Sequence, residues 1–283
     1  MNLNHPTADI YVPDGSDIGD ALKRGTSLAI GAHQDDLEIM AYPAIAESYE
    51  DDSKWFCGVV ATSGSGSSRT GPYADVSDEE MVNIRRKEQR DAADIGKFSC
   101  VIQLGYGSAE VKAPSSPGVV EDLSAIIEAC GADTLYLHNP ADKHDSHVAL
   151  LQCCVAAVRK VPADKRPSRM LGCEVWRDLD WLPDELKTLQ PTDAYPELAR
   201  KLLEIFDSQV TGGKRYDLAV LGRRLANATF YQSHESDGAE GLAASMDLSP
   251  LLKDDSLDLA TFTLQMIDAF KQDVETRLLQ FQQ

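Results

Sequence analysis

The sequence lacks the features that define several broad classes of protein. Its six cysteines are scattered through apolar stretches without a C-x-x-C pair, which indicates reduced, buried thiols rather than a disulfide framework. No apolar run approaches the roughly 20 residues that cross a bilayer. The N-terminal residues have no basic region followed by an apolar run, so no secretory signal is expected. These absences predict a cytoplasmic protein without a membrane span.

Positive charge is also scarce. The chain has 27 Lys and Arg residues against 46 Asp and Glu residues, which gives a formal net charge of −19. A surface of this sign repels phosphate backbones and anionic lipid, which argues against nucleic acid and membrane surfaces as partners. It does not repel a small neutral molecule such as a sugar.

What the sequence does contain is an alternation of short apolar runs and helical patterns. The runs predict strands over 27–32, 55–62, 101–104, 134–137 and 170–175, and the patterns predict helices over 36–49, 77–96, 119–130 and 145–158. This alternation predicts an α/β fold with a Rossmann-like, mainly parallel sheet and helices on both faces. The polar, turn-rich residues before the first strand predict a strap or cap.

The C-terminal third of the chain is more helical, with patterns over 196–208, 215–230 and 259–281. The sequence has no visible repeat, low-complexity tract or interdomain linker. It therefore predicts one domain over 1–283, with a Rossmann-like core over about 25–180 and a mostly helical C-terminal extension over about 181–283.

Imidazole and carboxylate side chains follow two of the predicted strands. His33, Asp35 and Asp36 come directly after the first strand, and His144 and His147 follow the fourth. Because ligands bind beyond the carboxyl ends of the strands in open α/β sheets, both groups are expected at one edge. Two histidines, one carboxylate and an open position match a catalytic zinc site, where a bound water has a pKa of about 7. This pattern predicts hydrolysis without a covalent nucleophile.

The two consecutive aspartates cannot share one task. Adjacent helical residues are turned by about 100° from each other, so one of Asp35 and Asp36 is placed to ligate a metal and the other to accept a proton from water. Ordinary explanations also exist, since carboxylates are common at helix N-termini and a lone histidine is often a surface or helix-start residue. Three of the six histidines beside carboxylates at one crevice favour the functional interpretation.

Several segments resemble the LmbE/PIG-L family of zinc-dependent N-deacetylases. Residues 32–38 (AHQDDLE) resemble the family signature AHPDDxE, and residues 140–147 (PADKHDSH) resemble its second motif, PxDxHxDH. Residues 85–96 are similar to the family's RxxE…AA…G helix, and residues 62–64 (TSG) fall where it has a TxG turn. The motifs cover roughly the first 180 residues in family order.

The resemblance implies a role for each matched residue. The metal ligands would be His33, Asp36 and His147. The metal would be zinc, with ferrous iron as the other candidate. Asp35 would be the general base, His144 would stabilise or protonate the tetrahedral intermediate, and Arg85 would anchor the substrate. That substrate would be an N-acetyl amino sugar or a related glycoconjugate.

Two positions depart from the family pattern. Gln34 replaces the proline of the first motif, which removes no ligand. In the second motif Ser146 stands where the family has aspartate, and Asp145 stands where it has proline. If that aspartate orients an imidazole through a hydrogen bond, serine is a weaker partner, and either Asp142 or Asp145 is available to replace it.

Three further residues have a functional and an ordinary interpretation each. Arg69 lies in a Gly/Ser-rich loop over 63–73 that is either a substrate lid or a surface loop. Trp176 follows the fifth strand and either stacks on a sugar ring or belongs to the core. His234 either closes the site from the C-terminal part or ends a surface helix.

Two other classes of function compete with a deacetylase. A 2-His-1-carboxylate site also occurs in non-haem iron oxygenases, although there an HxD motif on a β scaffold is more usual than HxxD. A non-catalytic nucleotide-binding module would be favoured by GxGxxG after the first strand, and GAHQDD at 31–36 lacks it. A homo-oligomer is compatible with the sequence.

Overall fold

A twisted sheet of eight strands runs through the protein, and the computed structural model describes it over residues 1–113 and 115–282. The strands are β1 (Asp9–Tyr11), β2 (Ser27–Gly31), β3 (Phe56–Thr62), β4 (Cys100–Tyr106), β5 (Thr134–His138), β6 (Arg169–Cys173), β7 (Lys187–Pro191) and β8 (Leu242–Asp247). Their order in the sheet is β1-β4-β3-β2-β5-β6-β8-β7.

The five central strands, from β4 to β6, are parallel to one another. The outer pairings, β1 with β4, β8 with β6 and β7 with β8, are antiparallel. Every residue of β2 and β3 is buried, as expected for parallel strands covered on both faces. The central strand β2 pairs with both β3 and β5, so that Ser27 lies opposite Phe56 on one side and Thr134 on the other. The predicted fold class is confirmed.

Helices cover both faces of the sheet. They are α1 (Ile18–Lys23), α2 (Asp36–Met40), α3 (Tyr42–Ser48), α4 (Asp78–Ile95), α5 (Ser108–Val111), α6 (Pro117–Ala129), α7 (Asp145–Lys160), α8 (Pro196–Glu204), α9 (Asp207–Val210), α10 (Tyr216–Thr229), α11 (Pro250–Lys253) and α12 (Leu259–Gln280). Two apolar clusters pack against the sheet. Leu28 and Ile30 belong to one and Ala29 to the other, because successive strand residues point to opposite faces. Helices α1, α6 and α7 pack in the first cluster, and α2, α3 and α8 in the second.

The predicted helix over 36–49 is divided into two. Helix α2 ends at Met40, and α3 begins at Tyr42 with Pro43 in its first turn. Proline lacks the N–H that would continue the hydrogen bonds of α2, so the helix is interrupted at Ala41. The helix predicted over 77–96 is observed as α4, and the expected capping box between Ser77 and Glu80 is present.

The two ends of the chain contribute more to the sheet than their sequences predict. The expected strap before residue 27 contains β1 and α1, and the expected helical extension contains β7 and β8. β1 is only three residues long, and most of β7 is half-buried, so neither has the apolar run that identifies a central strand. Pairing with β4 and β8 stabilises them instead.

Two smaller expectations concern the cysteines and the membrane. All six cysteines are buried free thiols, as predicted. Within residues 1–113 and 115–282, no helix is both long and apolar enough to cross a membrane.

Candidate metal centre

The two clusters of candidate residues meet because the strands that precede them are neighbours. β2 ends just before His33, and β5 ends at His138, before the loop that leads to α7. β2 and β5 pair in parallel, so both carboxyl ends lie at the same edge of the sheet. The adjacency brings residues more than 100 positions apart into contact, as in the 3.2 Å approach of His33 to His147.

Three donor atoms form a nearly equilateral triangle at this edge. His33 Nδ1 is 3.3 Å from Asp36 Oδ2 and 3.2 Å from His147 Nε2, and the last two atoms are 3.4 Å apart. A tetrahedral zinc ion with bond lengths of about 2.0–2.1 Å keeps its ligand atoms about 3.3 Å apart. The donor set therefore fits zinc in size and in chemistry. Asp36 and His147 are buried, whereas the His33 side chain is 23% exposed, which leaves an open side towards the cavity.

The orientation of His147 is fixed by a carboxylate from the preceding loop. Its Nδ1 lies 3.2 Å from Asp142 Oδ2, which places a proton on Nδ1 and leaves the Nε2 lone pair free for a metal. Asp142 also accepts hydrogen bonds from the backbone N–H groups of His144, at 3.1 Å, and Trp176, at 3.2 Å. Of the two candidates left open by the sequence, Asp142 is the one that contacts the imidazole.

A fourth histidine at the site, His138, was not anticipated. Its ring stacks on that of His147 at 3.8 Å and 15°, and its Nε2 is 3.4 Å from Asp36 Oδ2. That Nε2 accepts the Ala32 backbone N–H at 3.0 Å, so its lone pair is already used. Burial lowers the pKa of His138 to about 4, which keeps the ring neutral. His138 thus packs behind the triangle instead of completing it. The sequence feature that could have identified it is its place as the last residue of β5, at the carboxyl edge of the sheet.

His144 lines the open side of the centre. Its Nδ1 accepts the Ser146 backbone N–H at 3.3 Å, so the proton of the neutral ring lies on Nε2. Burial, together with the charges of His33 and His147, lowers the pKa of His144 to about 4. At neutral pH the ring is therefore a hydrogen-bond donor without charge.

Asp35 and Asp36 have different surroundings, which shift their pKa values in opposite directions. Burial alone would raise the pKa of Asp36, but the imidazoles around it, that of His147 above all, hold it well below its usual value. Burial raises the pKa of Asp35 to about 6, against the opposing attraction of Arg85. Asp35 has a φ of 99°, a left-handed conformation that is uncommon for a residue other than glycine and concentrates at functional sites.

Buried polar side chains hold Asp35 from behind. Arg85 is 1% exposed, and its guanidinium lies 3.3 Å from the Asp35 carboxylate and 3.2 Å from Glu88. Gln89, one helical turn further along α4, accepts the Asp35 N–H at 3.4 Å and donates to Glu38 at 2.8 Å. The expected role of Arg85 as a substrate anchor stays a prediction, since the contacts of its guanidinium are with the protein.

Gln34 uses its side chain where the family motif has proline. Its amide donates to the Thr62 carbonyl and to Gln103, both at 3.1 Å, and its backbone carbonyl accepts from Arg85. Gly64 packs against it with a positive φ of 75°, and a Cβ there would come within 2.6 Å of the Gln34 amide oxygen. The TSG turn thus leaves room for the glutamine.

A cavity of about 520 Å³ opens on the centre and is lined by residues of many elements. Trp176 is among them, but the Lys214 ammonium lies 4.3 Å from the centre of its ring, so a stacked sugar would need the other face. Arg69 is not a lining residue, because its guanidinium binds carbonyls of its own loop and Asp78. His234 is exposed and also lies outside the lining.

The Asp142 contact yields a first prediction. We expect Asp142→Asn to weaken metal binding by about 10- to 100-fold, because the amide no longer fixes and polarises the His147 ring through a carboxylate. Metal affinity measured by competition with a chelator checks this, with Asp145→Asn as the matched control. Equal affinities for both variants and the wild type would exclude the role of Asp142.

Fold and site together define an α/β protein with a candidate His/Asp metal centre at the carboxyl edge of a parallel sheet. Residues 28–158 match the family described as "PIG-L: GlcNAc-PI de-N-acetylase". This match confirms the PIG-L/LmbE family that the motifs predicted for this part of the chain, which carries the candidate metal centre. The family is one of metal-dependent deacetylases.

Solved structures share the fold at low sequence identity. An N,N'-diacetylchitobiose deacetylase from Pyrococcus horikoshii is similar with a TM-score of 0.62 and 18% identity, over 81% of this chain and 85% of that one. A conserved protein from Thermus thermophilus has a TM-score of 0.62 and 17% sequence identity, over 78% of this chain and 93% of that protein. GalB, a 4-carboxy-2-hydroxymuconate hydratase from Pseudomonas putida, has a TM-score of 0.61 and 17% sequence identity, over 79% of this chain and 96% of GalB. A comparison with curated proteins found no match.

Proposed function

We propose that the protein is a metal-dependent N-deacetylase, with His33, Asp36 and His147 as the metal ligands. The observation that carries the proposal is the triangle of donor atoms, with sides of 3.2–3.4 Å, beside an aspartate with a raised pKa. A zinc ion bound there would polarise an amide carbonyl and lower the pKa of a water to about 7.

The chain's own residues would move the protons. Asp35 accepts a proton from the attacking water, which adds to the carbonyl carbon of the acetamide. His144, with its proton on Nε2, donates a hydrogen bond to the oxygen that becomes negative in the tetrahedral intermediate. The C–N bond then breaks, the nitrogen takes up the proton that Asp35 had accepted, and acetate and a free amine leave.

Arg85 would act on this chemistry through Asp35. It contacts the carboxylate at 3.3 Å and the carbonyl of Gln34, and so holds the left-handed turn in place. A positioned base needs such support, because small displacements of a catalytic group lower the rate strongly.

An N-acetyl amino sugar or glycoconjugate is the proposed substrate. Support comes from the family description, which names an N-acetylglucosamine compound, and from the chitobiose deacetylase among the similar structures. The cavity of about 520 Å³ is of the size that takes a small molecule. A cytoplasmic location and a homo-oligomer stay predictions from the sequence.

A screen of N-acetyl sugars for acetate release, with metal analysis of the purified protein, tests the proposal. We expect acetate and a free amine in a 1:1 ratio, and loss of turnover after chelation that added zinc restores. Oxygen consumption with an oxo-acid would favour the oxygenase instead. Hydration of an unsaturated acid without acetate release would favour chemistry of the kind named for GalB.

A further inference from the structure

The cavity has the opposite charge balance to the protein as a whole. The chain carries 46 acidic and 27 basic side chains, but the lining has two acidic residues, Asp35 and Asp36, both at the metal centre. Its basic residues are Arg85, Lys112, Lys214 and Arg223. Away from the metal centre, every acidic or basic side chain that lines the cavity within the described part of the chain is therefore basic. A cleft lined by one sign of charge concentrates ligands of the other sign.

Two of these cations are free to bind a ligand. The guanidinium of Arg85 is buried against Asp35 and Glu88, and that of Arg223 donates to the carbonyls of Val175 and Trp176. Lys112 and Lys214 instead form no ion pair with any residue in 1–113 and 115–282, in contrast to lysines elsewhere such as Lys87 and Lys165.

Lys214 is held in position over the cavity. Its ammonium lies 4.3 Å from the centre of the Trp176 ring, a cation–π contact that leaves the N–H groups available. The backbone around it is fixed, because Lys214 N–H donates to the Gln209 carbonyl at 3.1 Å and the Thr70 hydroxyl donates to Gly212. These contacts position the Lys214 backbone at the wall of the cavity that its side chain lines.

Trp176 links Lys214 to the metal centre. Its ring is also 5.9 Å from the ring of His144, which in turn is 4.7 Å from the ring of His33. An anion at Lys214 and an acetamide at His144 would therefore lie in one cavity, beside the same indole ring. Lys112 reaches the same cavity from the end of α5, the helix that follows β4.

Resting on the proposed function, we infer that the substrate carries an anionic group, a phosphate or a carboxylate, that binds to Lys112 and Lys214 in the same cavity as the acetamide. The two lysines thus select acylated amines of negative charge over neutral ones. They do so although the net charge of the protein opposes anions.

Binding of reaction products tests this selection without turnover. Isothermal titration calorimetry at low ionic strength compares glucosamine with glucosamine 6-phosphate and with muramic acid, which carries a carboxylate. We expect at least one anionic product to bind about tenfold more tightly than glucosamine, the range of charge-assisted hydrogen bonds. Salt should weaken the preference.

Variants assign the preference to the lysines. Lys214→Gln and Lys112→Gln should each weaken binding of the anionic product by about five- to tenfold and leave glucosamine unaffected. Lys253→Gln, an exposed lysine outside the lining, is the control for the change in net charge.

The outcomes separate this inference from the proposed function. A preference for the phosphate alone or the carboxylate alone supports the inference and identifies the group. Equal affinity for neutral and anionic products, no binding of either, or no effect of the lysine variants overturns it. Acetate release from N-acetylglucosamine and from its 6-phosphate, measured in parallel, tests deacetylation by itself.

Discussion

His147→Ala should purify without bound metal and without deacetylase activity, the largest effect expected for any single substitution. His147 supplies one of three donor atoms, and its Nε2 is 3.2 Å and 3.4 Å from the other two. Loss of an orienting contact to a ligand already costs about 10- to 100-fold in affinity, so loss of the ligand itself should cost at least about 100-fold. Metal analysis and chelator competition measure the change.

A second variant separates metal loss from misfolding. His147 is buried, and alanine leaves Asp142 without its imidazole partner, so some loss of stability is expected. The His33 side chain is 23% exposed, and His33→Ala should lose metal with the fold retained, as judged by circular dichroism. His5→Ala, away from the cavity, is the control. Full metal content in both site variants would contradict the assignment of the ligands.

Asp35→Asn should keep the metal and lower kcat by about 10²- to 10⁴-fold, the range for loss of a general base. Asparagine is isosteric and tolerates a positive φ, so the turn at φ 99° should persist. Arg85 keeps its contacts with Glu88 and the Gln34 carbonyl. Single-turnover rates with metal content determined on the same samples check both halves of the prediction.

The pH dependence gives an independent signature of Asp35. A base acts when it is deprotonated, so the wild-type rate should rise with pH and be lost as pH falls through the pKa of Asp35. Burial raises that pKa to about 6, and the positive charge of a bound metal would draw it lower. The rising limb is therefore expected at or below about pH 6, and Asp35→Asn should lack it. An unchanged limb in the variant would assign it to another group.

The site could be predicted from the sequence as far as local spacing reaches. His33 and Asp36 are three residues apart across one turn, and their convergence is a property of that turn. The choice between Asp142 and Asp145 depends on the path of the loop after β5, which spacing does not specify. The burial of Arg85 depends on residues that pack over it, among them Ser208 of α9, 123 positions away.

The fold shows the same division. The central strands are mostly apolar, and the capping box of α4 lies within four residues. The sequence alone therefore determined the parallel centre, the helices between its strands and the motifs at their ends. Tertiary structure decided that β1, β7 and β8 extend the sheet, that His138 stacks behind His147, and that Lys112 and Lys214 line one cavity. The physical reason is range: periodicity and capping act between residues a few positions apart. A short edge strand or a cavity wall exists only through contacts between distant segments, whose positions the order of the strands fixes.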